Sequence, residues 1–206
     1  MAMIRHCRVT DIEALHAISL ATGHLGSDAA RLHDDPRLLG HIYAAPYATL
    51  APGLALVVED AAGVAGFAVG AVDTPAWEAL LESAWWPDLR RRYADPDATS
   101  SEAWTADQRR AFMIHHPRPT PAEVTRQYPA HLHMNLLPRQ QRRGVGPALL
   151  RAWLAAAAGH GARCVHVGVN RANAGALRFW ERHGFRPVEA ALGRTQYLGR
   201  AVEPEE

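Results

Sequence analysis

Short apolar runs occupy both ends of the chain, and segments with helical spacing lie between them. Ile4–Val9 reads as a strand. Thr10-Asp11-Ile12-Glu13 has the form of a capping box and predicts a helix through Ala14, Leu15, Ile18 and Leu20, stopping near Gly23. A second helix is expected over Asp34–Ala45, with Pro36 in its first turn. Leu54–Glu59 and Val64–Val72 flank Asp60-Ala61-Ala62-Gly63, a hairpin signal. After Pro129 the pattern is strand (Ala130–Leu137, ended by Pro138), helix (Gly144–Ala158, with an inward stripe of Val145, Leu149, Trp153 and Leu154) and strand (Cys164–Val169). A helix over Ala174–His183, stopped by Gly184, and strands at Phe185–Ala190 and Thr195–Val202 complete it. The tail Glu203–Glu206 is expected to fray. Strands at both ends with helices crossing between them predict a mixed α/β sheet in a single domain.

Residues 73–129 differ in character. They hold four of the six tryptophans (Trp77, Trp85, Trp86 and Trp104), with helices expected at Pro75–Trp85 and Thr105–His115 and no strand pattern. The segment reads as a helical insertion over about residues 74–129.

Composition narrows the function. The 22 basic residues, all arginine, nearly balance the 21 acidic ones, which argues against a nucleic-acid binder held by a strong global field. The two cysteines, Cys7 and Cys164, fit neither a disulfide framework nor a zinc knuckle. No signal-peptide core and no apolar run long enough to span a bilayer occur, so a cytoplasmic protein without a membrane partner is expected.

The candidate chemistry sits in Pro138-Arg139-Gln140-Gln141-Arg142-Arg143-Gly144-Val145-Gly146-Pro147-Ala148, a loop running from strand into helix. A helix N-terminus offers unpaired N–H groups and partial positive charge, which suit phosphate. Gly144 and Gly146 leave room for an anion near the backbone, Pro147 is tolerated at a helix start, and Arg142 and Arg143 add charge. By itself the loop also fits a tight turn that binds nothing. It is neither a dinucleotide fingerprint nor a Walker loop, since the third glycine and the Gly-Lys-Ser/Thr are missing.

Two blocks sharpen the reading. Gln141-Arg142-Arg143-Gly144-Val145-Gly146 resembles the Gln/Arg-x-x-Gly-x-Gly/Ala signature of the GCN5-related N-acetyltransferases (GNAT). Asn173 to Phe185 resembles that family's Asn-x-x-Ala-x-x-Phe-Tyr-x-x-x-Gly-Phe block. The match covers about residues 130–187. Within the family, Tyr128-Pro129-Ala130-His131-Leu132-His133, the Trp-rich segment and Tyr197-Leu198-Gly199-Arg200 are similar to bacterial relatives of the acetyltransferase-like domain of O-GlcNAc hydrolases.

The resemblance implies a sheet of about six to seven strands with a splay between the fourth and fifth. It implies acetyl-CoA as co-substrate and transfer of acetyl to a small-molecule or exposed amine, with a homodimer left open. Leu136 and Leu137 would pair with the pantetheine arm, the loop N–H groups of Arg142–Ala148 would hold the pyrophosphate, and Gln141, Asn173 and Trp180 would contact the cofactor. Trp180 stands where the family usually has a tyrosine that protonates the departing thiolate, and an indole N–H is no acid at neutral pH. A catalytically weak or inactive acetyl-CoA-binding domain is therefore the alternative. His131 and His133 share one strand face and are candidate bases, Asp73 would orient a histidine or receive the amine, and Trp77 and Tyr128 would wall the acceptor pocket. The two histidines also fit a structural role. A His-x-His pair suits zinc too, but no third ligand is evident, so no metal is expected.

Overall fold

The computed structural model describes residues 2–190 and 193–202, so the expectation for the tail Glu203–Glu206 lies outside the described residues. Seven strands form one sheet: β1 (Met3–His6), β2 (Ala55–Asp60), β3 (Gly63–Ala71), β4 (Ala130–Leu136), β5 (Cys164–Asn170), β6 (Arg186–Pro187) and β7 (Thr195–Ala201). Their spatial order is β1-β2-β3-β4-β5-β7-β6, antiparallel throughout except for β4 beside β5. The sheet is the mixed α/β arrangement that the sequence pattern predicts.

The centre of the sheet is buried on both faces. Ala55, Val57, Phe67, Val69 and Ala71 pack under α1 (Ile12–Ala21), α2 (Leu38–Tyr43), α3 (Ala45–Leu50), α4 (Thr74–Ala84), α5 (Trp86–Arg92) and α6 (Ala106–His115). Leu56, Val58, Ala68, Leu132 and Val167 pack under α8 (Val145–Gly159) and α9 (Ala174–Arg182). Two-sided burial explains why β2 reads as a continuous apolar run rather than an alternation. Trp153 of α8 is fully buried and donates its indole N–H to Leu54 O at 3.0 Å, pinning the helix to the sheet.

Three local expectations need correction. Thr10 does not cap α1: Asp11 does the local work, accepting from the Arg8 N–H at 2.7 Å and from Arg5 at 2.6 and 3.0 Å, which shortens β1 to Met3–His6. The single helix expected over Asp34–Ala45 is two, bent at Ala44 (φ −141°), because Pro46 cannot donate to a continuing helix. The strand expected over Phe185–Ala190 is reduced to Arg186–Pro187, followed by one further bond from the Val188 N–H to Tyr197 O at 3.0 Å. Between β3 and β4 the chain is helical as anticipated, with α5 and α7 (Ala122–Thr125) unforeseen. No helix among the described residues is long and apolar enough to cross a membrane.

Candidate functional site

The strand-to-helix loop is built on two left-handed residues, Arg142 (φ +57°) and Gly144 (φ +78°), just ahead of α8. A Cβ on Gly144 would meet nothing within 4 Å, so its backbone conformation, not crowding, requires glycine. Gly146 answers a different need: a Cβ there would lie 3.2 Å from Phe179, so the missing side chain lets α9 close on α8. The loop is tied down by Arg139 and Gln140, which reach Asp60 at 2.9 and 2.6 Å.

The N–H groups of Arg142, Arg143, Gly144, Val145 and Gly146 make no well-formed hydrogen bond to a protein acceptor among the described residues, and no side chain caps α8. Ala148 does not share that property. Its N–H closes the first helical bond, to Gly144 O at 3.3 Å, and Pro147 has no N–H to offer. The unpaired set is thus five amides at the positive end of a 15-residue helix, a ready site for phosphate oxygens. The side chains of Arg142 and Arg143 are exposed beside it.

Alongside the loop the sheet opens. β4 pairs with β5 only at Ala130–Val165 and His131–His166, whereas β3–β4 and β5–β7 stay in register along their lengths. Past His131 the two parallel strands diverge. The Leu137 N–H bonds Ala65 O on the β3 side, so by strand alternation the polar main-chain groups of Leu136 and Met134 face the gap. Leu137 therefore does not present its N–H to the opening, and Met134, which sequence reasoning passed over, takes its place. The Leu136 carbonyl accepts from Gln141 Nε2 at 2.8 Å, which gives Gln141 the task of closing the end of the gap.

A cavity of about 590 Å³ lies over the α1–α6 face, running from β4 across β5 to β7. Tyr47 and Trp77 stack at 4.4 Å along one wall. His131 is held at both ring nitrogens. Thr74 Oγ1 gives its only hydrogen to Pro129 O, so it accepts from His131 Nδ1–H at 2.8 Å, and His131 Nε2 then accepts from the Tyr47 hydroxyl at 2.8 Å. His166 Nδ1–H donates to the Tyr128 carbonyl at 2.6 Å, leaving a lone pair on Nε2 at the cavity. His133 lines the cavity between Tyr43 and Tyr47 with no hydrogen-bond partner among the described residues.

Burial lowers the pKa of all three histidines below the usual imidazole value, to about 4 for His133, and each is further opposed by a neighbouring imidazole or only partly compensated by backbone carbonyls. His41, beside His16 at 4.5 Å under α1, is also held at about 4 by burial. These groups stay neutral when folded but protonate below about pH 6.5 when unfolded, so stability falls as pH drops from there toward 4. Each such group removes about 1.4 kcal/mol per pH unit in that window. With two of them, melting curves are expected to show a Tm lower by on the order of 10 °C at pH 5 than at pH 7. A Tm unchanged over that range would show that these imidazoles are not buried neutral.

Several residues named from the sequence fall elsewhere. Asp73 is the N-cap of α4, accepting from the Ala76 N–H at 2.9 Å, and its exposed side chain does not line the cavity. The Asp-Thr-Pro spelling was itself a capping signal. Tyr128 lays its ring over Gly199 and offers only its carbonyl to the site. Trp180 is 6% exposed, packed edge-on to Phe179 and Phe185 in the core. Asn173 caps α9 through the Ala176 N–H at 3.0 Å. Trp77 does line the cavity. Sequence reasoning missed Tyr47, Glu78, His166 and Tyr197, all of which line it. Among the described residues no group of three or more histidine, cysteine or acidic side chains is placed to hold a metal ion.

A family model described as "Acetyltransferase (GNAT) family" matches residues 77–185, and the structure solved as SsHAT is 36% identical, with 98% of each chain covered and a TM-score of 0.90. The chain belongs to the GNAT acetyltransferase family. More distant GNAT-like folds include PH1933 from Pyrococcus horikoshii OT3 (14% identity, 98% of each chain, TM-score 0.61). Another is yncA from Salmonella typhimurium, solved with its cofactor acetyl-CoA (18% identity, 99% of this chain and 95% of that one, TM-score 0.55). In this GNAT chain the five unpaired amides and the divergence of β4 from β5 meet at one end of the sheet, where the C-terminal end of β4 leads through the loop into α8.

Proposed function

We propose that this GNAT protein is an acetyl-CoA-dependent N-acetyltransferase acting on an amine bound in the 590 Å³ cavity. The observation that carries the reading is the set of five uncapped amides, Arg142 to Gly146, beside a gap between parallel strands. A diphosphate fits that cradle, because the space above Gly144 is open and two arginines flank it. Leu136 and Met134 would hold the pantetheine amides through main-chain hydrogen bonds, in the manner of an added strand. When bound, acetyl-CoA supplies an acetyl thioester.

The cavity residues divide the proton work. His131, engaged at both nitrogens, is a positioning residue for Tyr47 rather than a base. His133 retains free nitrogens but has no acceptor to strengthen it. His166 is the better base: the Tyr128 carbonyl fixes its tautomer and enriches Nε2, which takes the proton from the attacking amine. Tyr197 takes the task that Trp180 cannot. Gly168 lacks a side chain, and the Tyr197 ring lies over it, 3.4 Å from where a Cβ would stand, reaching the cavity beside His166 at a ring separation of 6.0 Å. Burial and the Glu78 charge raise the Tyr197 pKa, so the hydroxyl carries its proton at neutral pH, and the proton it gives to sulfur has to be replaced from the His166 imidazolium in the same event. Nitrogen bonds carbon as the carbon–sulfur bond breaks; the Tyr197 hydroxyl protonates sulfur, and the His166 imidazolium returns the amine proton to the phenolate. Both residues end as they began.

The inactive alternative rests on Trp180; the phenol of Tyr197 in the cavity supports the active reading over it. Thermal melts with acetyl-CoA, CoA and ATP test the reading. Both CoA ligands are expected to raise Tm, by about 5–10 °C at 100 times Kd, and ATP is not. Equal stabilisation by ATP would mark a general phosphate site instead.

A further inference from the structure

Among the described residues, six acidic side chains are not fully exposed: Asp11, Asp35, Glu59, Asp60, Glu78 and Asp107. Five have an ion-pair partner, namely Asp11 and Glu59 with Arg5, Asp35 with Arg92, Asp60 with Arg139, and Asp107 with His33. Glu78 is the exception. In a chain with 22 arginines, a half-buried carboxylate without a cation is an electrostatic debt that the fold itself leaves open.

Its position gives the absence meaning. Among the described residues Glu78 is the single acidic one lining the cavity, one position after Trp77 on α4. Oε1 accepts both the N–H and the hydroxyl of Thr120, each at 2.8 Å, while Oε2 has no protein partner among the described residues. Its field reaches the reacting end: burial raises the pKa of both Tyr47 and Tyr197, and the Glu78 charge adds to the rise at each. Around it the walls are aromatic and apolar, with Trp77, Trp86, Phe112 and Leu81 prominent. Arg118, the one arginine in the lining, is exposed and makes no ion pair with Glu78.

We infer that Glu78 is the cation-recognition residue of the acceptor site, and that the acceptor is a positively charged amine carrying an apolar or aromatic body. The missing counter-ion is the substrate's own ammonium group. The amine enters as its abundant protonated form and gives one proton to solvent before the neutral nitrogen attacks, so the exchange between His166 and Tyr197 still balances; the aromatic walls take up its hydrocarbon part. The three histidines, kept neutral by burial, do not repel it. A neutral or acidic molecule of the same shape gains nothing from Oε2 and is rejected. This assignment rests on the acetyl-transfer reading for the identity of the cavity as the acceptor site.

The test compares 2-phenylethylamine, cationic at pH 7.5, with 2-phenylethanol, its neutral counterpart, by calorimetric or NMR titration of protein saturated with CoA, where no acetyl group is available and no turnover occurs. The amine is expected to bind about tenfold or more tighter than the alcohol. Glu78→Gln keeps an oxygen for Thr120 and is expected to erase that preference with Tm and CoA affinity unchanged. Thr120→Val loosens the loop without removing the charge, and is expected to keep the preference. Equal affinities for amine and alcohol in the wild type, or a preference that survives Glu78→Gln, would overturn the assignment. Titrating CoA itself, and the amine in its absence, separates the two readings: a wild type that binds the amine but not CoA refutes acetyl transfer, and one that binds CoA but shows no cation preference refutes only the role of Glu78.

Discussion

Replacing Gly144 by valine is expected to abolish the rise in Tm that CoA gives. Gly144 sits at φ +78°, where a side chain costs about 1–2 kcal/mol and a β-branched one more. Valine would relieve that strain by rotating the peptide, which re-aims the amides of Gly144 and Val145. A diphosphate held by main-chain N–H groups cannot follow such a rotation, because the donors act together. The protein is expected to remain folded, since a Cβ at this position meets nothing within 4 Å and the core clusters lie beneath α8 rather than in the loop. Melting curves report both points at once: a cooperative transition without ligand, and no shift on adding CoA. Gly144→Asn tolerates the left-handed conformation and is expected to keep most of the shift. A full CoA shift in the valine variant would mean that the anion is held by side chains elsewhere.

The second large effect belongs to Tyr197. Tyr197→Phe keeps the ring over Gly168 and removes only the hydroxyl. With the amine that wild type turns over, kcat is expected to fall by about 100-fold or more, the usual range for loss of a general acid, while KM for acetyl-CoA stays the same. His166→Asn is expected to fall into the same range and to add little on top of Tyr197→Phe, since one proton circuit passes through both. His133→Ala and Trp180→Phe are expected to leave turnover within a few-fold of wild type. Release of free thiol measures all of these. If Trp180→Phe lost activity while Tyr197→Phe kept it, the proton donor would have to be sought on α9.

These two sites were not equally legible in the sequence. The anion cradle could be read because its parts are contiguous: a strand end, Pro138, two glycines and a helix lie within a dozen residues, and the backbone conformation they impose is local. Even there, only the fold shows that Ala148 is already bonded and that Leu137 turns toward β3. The acceptor cavity could not be read in the same way. Tyr47 comes from α3, Glu78 from α4, His166 from β5 and Tyr197 from β7, and only tertiary packing brings them together. His131 and His133 were visible as a pair on one strand face, yet the hydrogen bonds that separate their roles come from Tyr47 and Thr74, which lie 84 and 57 positions from His131 in the chain. Alternation in β7 does place Thr195, Tyr197 and Gly199 on one face, and the glycine opposite Tyr197 in β5 was the signal available for its reach. Trp180 misled because its block suggested a cofactor contact, whereas its place on the buried side of α9 gives it to the core.

The grip of main-chain amides on a diphosphate is measured most directly by backbone amide NMR. On titrating CoA into the protein, the largest shift changes are predicted at the N–H groups of Arg142, Arg143, Gly144, Val145 and Gly146, with Ala148, already bonded to Gly144, moving far less. Saturable CoA binding that leaves those five resonances in place would contradict it.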